Sequence, residues 1–570
     1  MHPADRSNRQ LKARYLALLT AVLCSAPLYS QVPIAINPAP ESLNGTVLNS
    51  VTHEPIARAL VYSADERYAT FTDDRGHFEL HFSEPGQAGE ARVSSDTQVA
   101  LQARRQGFLQ NTGHQGHVLV RPGDKEVILS LVPEGLVVGR VKFPSTEAGD
   151  RVQVRLYRRE VREGFAHWEP VTIAATRADG DFRFADLPAG EYKLFTLENL
   201  EQDPLVNAPN GPVYGFPPKY FAAARDFATA DTVQLHAGET FTANIAPQRQ
   251  RYYEVKVPVM IPDPADAGLA VSVYAQGHRG PGFALGFNRS EHAITGSLPS
   301  GSYTIEASSF GPAAATGITN LTVSNGPVNG PLLTLARNPS IEINIQQYFS
   351  SADNAQAKSD YSDRSGPTAY VTLQSAEEFS VDRGTGIHYQ SQGNPPTLSG
   401  VKPGPYWVQV EAGPGYAASV TSGGKDLQRE PLMVPFGGSV PPIEITVRYD
   451  GGEIEAMIEG DPNGDLLARS GRTTDDLLPP NSYLRGGWYL YCLPLSNSGG
   501  PVRGFNGWSN GNYLMQQVPP GDYRILAFDA RQELEYRDPA AMRAYESKGQ
   551  VIRVAAGQKV RVRVQPITSE

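Results

Sequence analysis

The chain has 570 residues, with 50 Lys and Arg against 60 Asp and Glu, a formal net charge of −10. A surplus of carboxylates disfavours nucleic acid or an anionic membrane surface as a partner. With 55 Gly, 46 Pro, 19% charged and 9% aromatic residues, the composition is that of a turn-rich β protein rather than a helical or disordered one. The length excludes one hydrophobic core and predicts about four or five domains.

The first 30 residues read as a secretory signal peptide. Arg6, Arg9, Lys12 and Arg14 precede an apolar run from Tyr15 to Cys24 and a short segment ending at Ser30. A cut after Ser30 is preferred, because a cut after Ala26 would leave Pro27 at the new N-terminus. An uncleaved anchor would need a longer run, and a lipoprotein would need a better residue than Leu23 before Cys24. Once Cys24 leaves with the leader, Cys492 is the sole cysteine, so no intrachain disulfide is expected despite export. No later stretch reaches the ~18 apolar residues of a membrane span.

The first domain, 42–133, opens with Gly45-Thr46-Val47, continues through Pro55-Ile56-Ala57-Arg58-Ala59-Leu60-Val61, and turns at Thr72-Asp73-Asp74-Arg75-Gly76-His77-Phe78. It closes with strands over 101–108 and 126–131. This order of Gly-x-Val strand, Pro-then-Ala-x-Val strand and Thr-Asp-x-x-Gly-x-Phe turn resembles the carboxypeptidase regulatory-like domain, a transthyretin-like sandwich. The second domain, 134–248, repeats it with Gly139-Arg140-Val141 and Thr176-Arg177-Ala178-Asp179-Gly180-Asp181-Phe182. Its proline-rich tail, from Glu201 to about Asp231, reads as an ordered long loop or a clip onto the next domain.

Third, fourth and fifth domains follow at 249–338, 339–449 and 450–570. One motif paces the second to the fifth: Leu187-Pro188-Ala189-Gly190-Glu191-Tyr192, Leu298-Pro299-Ser300-Gly301-Ser302-Tyr303, Val401-Lys402-Pro403-Gly404-Pro405-Tyr406 and Val518-Pro519-Pro520-Gly521-Asp522-Tyr523. The tyrosines are spaced close to the ~100-residue length of one immunoglobulin-like sandwich. In each copy an apolar residue ends a strand, Pro and Gly turn the chain, and Tyr opens the next strand. A buried Tyr there can bond its hydroxyl to a nearby backbone group, as tyrosine corners do. In the last domain, Asp538 caps a short helix running to Tyr545, with Pro539 at its first position.

The expected fold class is therefore all-β, tandem immunoglobulin/transthyretin-like β-sandwich domains. The layout as a whole resembles multi-domain bacterial carboxypeptidase regulatory-like repeat proteins with a carbohydrate-binding-like fold. The resemblance implies an exported protein. It also implies no chemistry, since in metallocarboxypeptidases this domain is an appendage without catalytic residues.

The residues themselves offer little chemistry. No His-Glu-x-x-His, nucleophile elbow or phosphate-binding loop occurs. His77 and His81 sit four apart on a predicted strand, which separates them by about 13 Å, and His114 and His117 lie in a polar turn. Asp461-Pro462-Asn463-Gly464-Asp465 imitates a calcium loop, but Arg472 stands where the bidentate Glu should be, so a hairpin turn is expected. Cys492 lies in a predicted strand, where an inert buried thiol is the default.

The expectation is an exported, periplasmic or extracellular, non-enzymatic array with no cofactor and no metal, acting in cell-envelope scaffolding, adhesion or protein–protein contact. Its partners would be envelope proteins or polysaccharide. The alternative is carbohydrate binding. Phe505, Asn506 and Trp508 stand in a Gly/Asn-rich loop that could offer sugars an aromatic platform, against the simpler reading that Trp508 plugs a core or an interdomain contact. Trp168 and Trp407 fit a sugar site less well, being strand-like in context.

Overall fold

The computed structural model describes residues 42–82, 99–109, 118–121, 124, 126–143, 152–201, 212–262, 268–348, 368–379, 385–389, 396–459, 488–495, 500–505, 507–509, 512–529 and 531–568, without 312 and 414. The leader, His114, His117 and the Asp461–Asp465 turn lie outside them. Regular structure is almost wholly β; among the described residues helix is confined to Pro539–Met542 and a 3₁₀ turn, Arg543–Tyr545. The Asp538 carboxylate accepts from the Ala540 amide at 2.8 Å, which makes it the expected cap, with Pro539 at the first helical position.

The chain divides into two compact units, one of Met1–Val47, Pro55–Ala103 and His117–Leu129, the other of Leu48–Glu54, Arg104–Gly116 and Ser130–Glu570. The first carries a sheet in the order His77–His81, Ser42–Asn49, Val127–Leu131 and a second in the order Ala69–Phe71, Leu60–Ser63, Val99–Arg104, Val118–Val120. Alternation decides which face is buried: in His77–His81, Phe78 and Leu80 are buried while both histidines are exposed.

The Gly-x-Val strand has a steric cause. Gly45 stands opposite Phe78 in the antiparallel register, and a Cβ on Gly45 would lie 2.4 Å from both the Phe78 ring and the Val127 carbonyl oxygen. The second unit repeats the pair. Gly139 stands opposite Phe182, and its Cβ would fall 1.7 Å from the Ala243 carbonyl oxygen. Glycine is the residue that lets the ring lie flat across its own strand.

The second unit contains four pairs of sheets, each closed over its own apolar core. The second sandwich joins a sheet built on Gln153–Arg162 and Gly190–Thr196 to one built on Gly135–Arg140 and Asp181–Leu187. The third packs a sheet centred on Gln250–Met260 against one centred on Gly301–Ser309. The fourth pairs the sheet of Ile341–Tyr348 and Ile443–Arg448 with that of Thr368–Ser375 and Gly404–Gly413. The fifth pairs the sheet of Gly452–Ile458 and Lys559–Val564 with that of Tyr489–Pro494 and Gly521–Phe528.

In all four the tyrosine motif carries the chain from one sheet to the other. Asp181–Leu187 belongs to one sheet and Gly190–Thr196 to the sheet facing it, and the same switch occurs at Pro299/Gly301, Leu398/Gly404 and Val518/Gly521. The new strand starts at the Gly, two residues before the Tyr. Each Tyr is buried, and three bond the carbonyl four residues back: Tyr192 to Pro188 at 2.6 Å, Tyr303 to Pro299 at 2.8 Å, and Tyr523 to Pro519 at 2.6 Å. The hydroxyl thus gives the corner carbonyl a donor.

The proline-rich tail is a clip. Val213–Phe216 pairs with Gln250–Met260, extending the third sandwich, while Lys219–Tyr220 returns to pair with Gly190–Thr196 of the second. The Arg249 guanidinium stacks 4.0 Å over Tyr214 and bonds Glu201, and the Tyr220 hydroxyl donates to the Pro281 carbonyl at 2.6 Å.

Candidate functional site

The sequence-predicted loop is only partly described. Phe505 is half-buried and packs on the core of the fifth sandwich. Asn506 lies outside the described residues. Trp508 stands in a three-residue strand, Gly507–Ser509, at the end of its sheet and opposite Tyr513, which is buried. Asn512 Nδ2 donates to Glu455 Oε1 at 2.8 Å.

Other sequence candidates take structural parts. Asp73 Oδ1 accepts from the amides of Arg75 and His77, both at 2.8 Å, and the His77 amide above all holds its carboxyl below the usual range. Asp179 plays a similar part for the Asp181 amide. Cys492 is buried, and burial pushes its thiol up to about 12. Among the described residues no group of three or more His, Cys, Asp or Glu is placed to hold a metal, and no helix is long and apolar enough to cross a membrane.

Trp168 is a fastener between sandwiches. Its backbone amide donates to the Glu378 carbonyl at 2.8 Å and its indole Nε1 to the Glu378 carboxylate at 2.9 Å. The neighbouring Phe379 enters an aromatic cluster of Tyr157, Trp168, Phe195, Tyr220 and Phe227, lying 5.4 Å from Phe227. Lys193 is buried in the same cluster, its ammonium 4.9 Å from the Trp168 ring centroid and donating to the carbonyls of Phe227 (3.1 Å) and Ala228 (3.0 Å). Burial pulls this ammonium below its usual pKa, and two carbonyls with a ring face offset part of its lost hydration.

A second fastener reaches the fifth sandwich. Arg159 holds Glu535, and the Gly164 carbonyl accepts from the Arg537 amide at 3.1 Å. The Arg537 guanidinium also donates to the Glu163 carbonyl at 2.9 Å and stacks 3.8 Å over the Trp407 ring. One residue thereby touches the second, fourth and fifth sandwiches.

Where the second, third and fourth sandwiches meet there is a cleft of about 910 Å³, within the range of ligand-binding pockets. Two strands that end their sheets line it: Phe165–Ala175 through Pro170 to Ile173, and Leu269–Ala275 through Ala270 to Tyr274. Arg279 lies between Glu306 and Glu377 and bonds both carboxylates, and the Tyr274 hydroxyl donates to Glu306 at 3.5 Å. Burial pushes the Glu377 carboxyl up, with Arg279 opposing.

Glu198 has no such cation. Its Oε2 accepts from the Ala284 amide at 3.3 Å, while its Oε1 is buried and has no hydrogen-bond partner among the described residues. The Tyr252 hydroxyl, likewise buried, lies beside this carboxylate as its nearest side-chain donor. Burial pushes the Glu198 carboxyl up to about 7, opposed by the Ala284 amide and the nearby Tyr252 hydroxyl. This cleft is not legible in the sequence, because its residues come from several separate stretches in three sandwiches with no shared motif.

No known family model matches the chain, and no curated protein does. Among solved structures it is similar to the Bacillus anthracis TIE protein at 11% identity, over 69% of this chain and 65% of that one, with a TM-score of 0.14. It is similar to a streptococcal ancillary pilin at 11% identity, over 55% and 99%, with a TM-score of 0.21. Two B repeat units of the collagen-binding protein of Staphylococcus aureus match at 13% identity, over 70% and 94%, with a TM-score of 0.15. The chain spans 65% of the length of the first of these. At such TM-scores the all-β sandwich assignment rests on the sheets and cores themselves.

Proposed function

We propose that this chain is an exported, non-enzymatic array of β-sandwiches that serves protein contact and scaffolding or adhesion at the cell envelope. The observation that supports it most is the set of contacts between sandwiches that are not neighbours in sequence, Trp168 with Glu378 and Arg159 with Glu535. A body braced in this way presents surfaces at fixed spacing, which is what a scaffold requires. In this reading the leader ends at residue 30 and the domains run 42–133, 134–248, 249–338, 339–449 and 450–570. The first of them is of the carboxypeptidase regulatory-like type.

The test is fractionation of cells expressing the full chain with a C-terminal tag, followed by N-terminal sequencing and assay against panels of peptides and glycans. A chain beginning at Gln31 in the envelope or medium, without turnover, is the expected result. A cytoplasmic chain beginning at Met1, or turnover abolished by a point substitution, would overturn it.

A second reading assigns carbohydrate binding to Phe505, Asn506 and Trp508. The place of Gly507–Ser509 at the end of its sheet favours it, since among the described residues no strand pairs with its outer side. Binding on a glycan array that Trp508→Ala abolishes would support this reading; silence, or binding unchanged in the variant, would dismiss it.

A further inference from the structure

One short stretch of the third sandwich, from His278 to Ala284, holds two other sandwiches. Toward the second, His278 Nδ1 lies 2.7 Å from Asp226 Oδ2, the Pro281 carbonyl accepts from the Tyr220 hydroxyl at 2.6 Å, and the Ala284 amide donates to Glu198 Oε2 at 3.3 Å. A Cβ on Gly280 would lie 2.9 Å from Phe227 Cβ, so backbone and side chain are already in contact there. Toward the fourth, Arg279 bonds Glu377. The same stretch forms one side of the cleft.

Glu198 sits in this seam without a counter-ion. Its neighbours, the Ala284 amide and the Tyr252 hydroxyl, both belong to the third sandwich and are both uncharged at neutral pH. Tyr303 also faces it from the third sandwich, and round the cleft stand Arg155 of the second, Arg279 and Glu306 of the third, and Glu377 and Lys402 of the fourth. Among the described residues no ion pair joins a cation to Glu198, and Arg279 is held between Glu306 and Glu377. A carboxyl that loses hydration without gaining a cation favours its neutral form. Burial accordingly pushes Glu198 up to about 7, and it pushes Glu377 up as well, with Arg279 opposing.

If the stretch lifts and Glu198 meets water, its carboxyl returns to an ordinary value of 4.5. Between 4.5 and about 7 opening then releases a proton, so rising pH favours the open form, about tenfold in the opening equilibrium per pH unit, and the effect levels off above about 7. We propose that the stretch from His278 to Ala284 is a pH-operated latch, shut on the second sandwich while Glu198 holds its proton and released when the proton leaves, which opens that side of the cleft. The backbone pairing of the clip, Val213–Phe216 with Gln250–Met260 and Lys219–Tyr220 with Gly190–Thr196, does not titrate and keeps the two sandwiches joined. The inference goes beyond the scaffold reading and adds a control on how tightly the array is braced.

The test is amide exchange of the full-length protein at intervals from about pH 5 to about pH 8, each rate corrected for the intrinsic chemical rate at that pH. Protection of the Phe283 and Ala284 amides should fall about tenfold per pH unit up to about 7 and then level off, while the Ile525 amide in the fifth core holds its protection. Tyr252→Phe removes a donor that favours the charged carboxylate, so it should move the levelling point to higher pH. Glu198→Gln should flatten the curve. Comparing Phe283 and Ala284 with Ile525 in the wild-type protein keeps the test independent of how the variants fold. Protection that does not change with pH, a fall shared equally by Ile525, a levelling point left in place by Tyr252→Phe, or a fall undiminished in Glu198→Gln would each overturn the proposal.

Discussion

Arg159 and Glu535 lie 376 residues apart in sequence and meet as a two-bonded fork, Nη1 to Oε1 at 2.5 Å and Nη2 to Oε2 at 2.8 Å. Both side chains are mostly buried, at 30% and 17% exposure, so water competes less than at an exposed pair. A double-mutant cycle of Arg159→Ala and Glu535→Ala, read by chemical denaturation, should give a coupling of about 1–3 kcal/mol. Coupling near zero would mean that the aromatic and backbone contacts alone fasten the two sandwiches.

Removing only the hydroxyl of a tyrosine corner should carry a measurable cost. Tyr303→Phe keeps the buried ring but leaves the Pro299 carbonyl without its donor. A loss of about 1–2 kcal/mol is expected in equilibrium unfolding. Tyr192→Phe should cost a similar amount, since Tyr192 bonds Pro188 in the same way.

Gly139→Ala should be among the most damaging single changes in the second sandwich. The added carbon would sit 1.7 Å from the Ala243 carbonyl oxygen, and the Phe182 ring closes the other side at 2.7 Å. Backbone must move, so a loss of about 3 kcal/mol or more is expected, measured by thermal or denaturant unfolding.

Cys492 should be silent toward maleimide or disulfide reagents in the folded protein. It is buried and its thiol is pushed up to about 12, so at neutral pH almost no thiolate is presented. Labelling should appear only with denaturant, and its onset should follow unfolding of the fifth sandwich.

Glu198 should make stability depend on pH. In the folded protein burial pushes its carboxyl up to about 7, from an ordinary value of 4.5. Between those values the folded protein keeps a proton that the unfolded chain has lost, so stability falls as pH rises through that window and levels off above it. At 1.36 kcal/mol per pKa unit the loss is at most about 3 kcal/mol. Glu198→Gln should therefore gain on the wild type from pH 4.5 to 7 in thermal melts. A constant difference across that range would show that Glu198 is not the group responsible.

Much of the fold is legible in local residue patterns because short motifs repeat. The Pro-x-Gly-x-Tyr corner, the Asp-x-x-Gly turn and the Gly-x-Val strand each state a local requirement: a φ that only some residues adopt, a carbonyl that needs a donor, or a Cβ that has no room. The switch between facing sheets at each corner is less legible, since the same residues could as well close a hairpin. The tail after Glu201 left two readings open, and pairing of Val213–Phe216 with Gln250–Met260 decides between them.

The cleft and the fasteners were not legible. Glu198, Arg279, Glu377 and Glu535 are single charged residues on turns and strand ends, with nothing nearby in sequence to set them apart. Their meaning comes from partners far along the chain, 86 residues for Glu198 with Ala284, 98 for Arg279 with Glu377 and 376 for Arg159 with Glu535. For the aromatic loop, the Gly and Asn around Phe505 are legible, whereas its half-buried packing on the fifth core is not.

Arg537 gives the second unit a mechanical property that a linear array lacks. Besides the path along the chain through the third and fourth sandwiches, tension between the second and fifth has a side route through Arg537 and Glu535 into the hairpin tip at Glu163 and Gly164 and the adjoining strand at Arg159, and Glu378 on Trp168 ties the second to the fourth as well. While the side route holds, the intervening sandwiches are shielded from load. Once it parts, load passes to the Trp168–Glu378 contact and only then to the chain, so under a pulling force this protein would give way in successive steps rather than stretch as a spring.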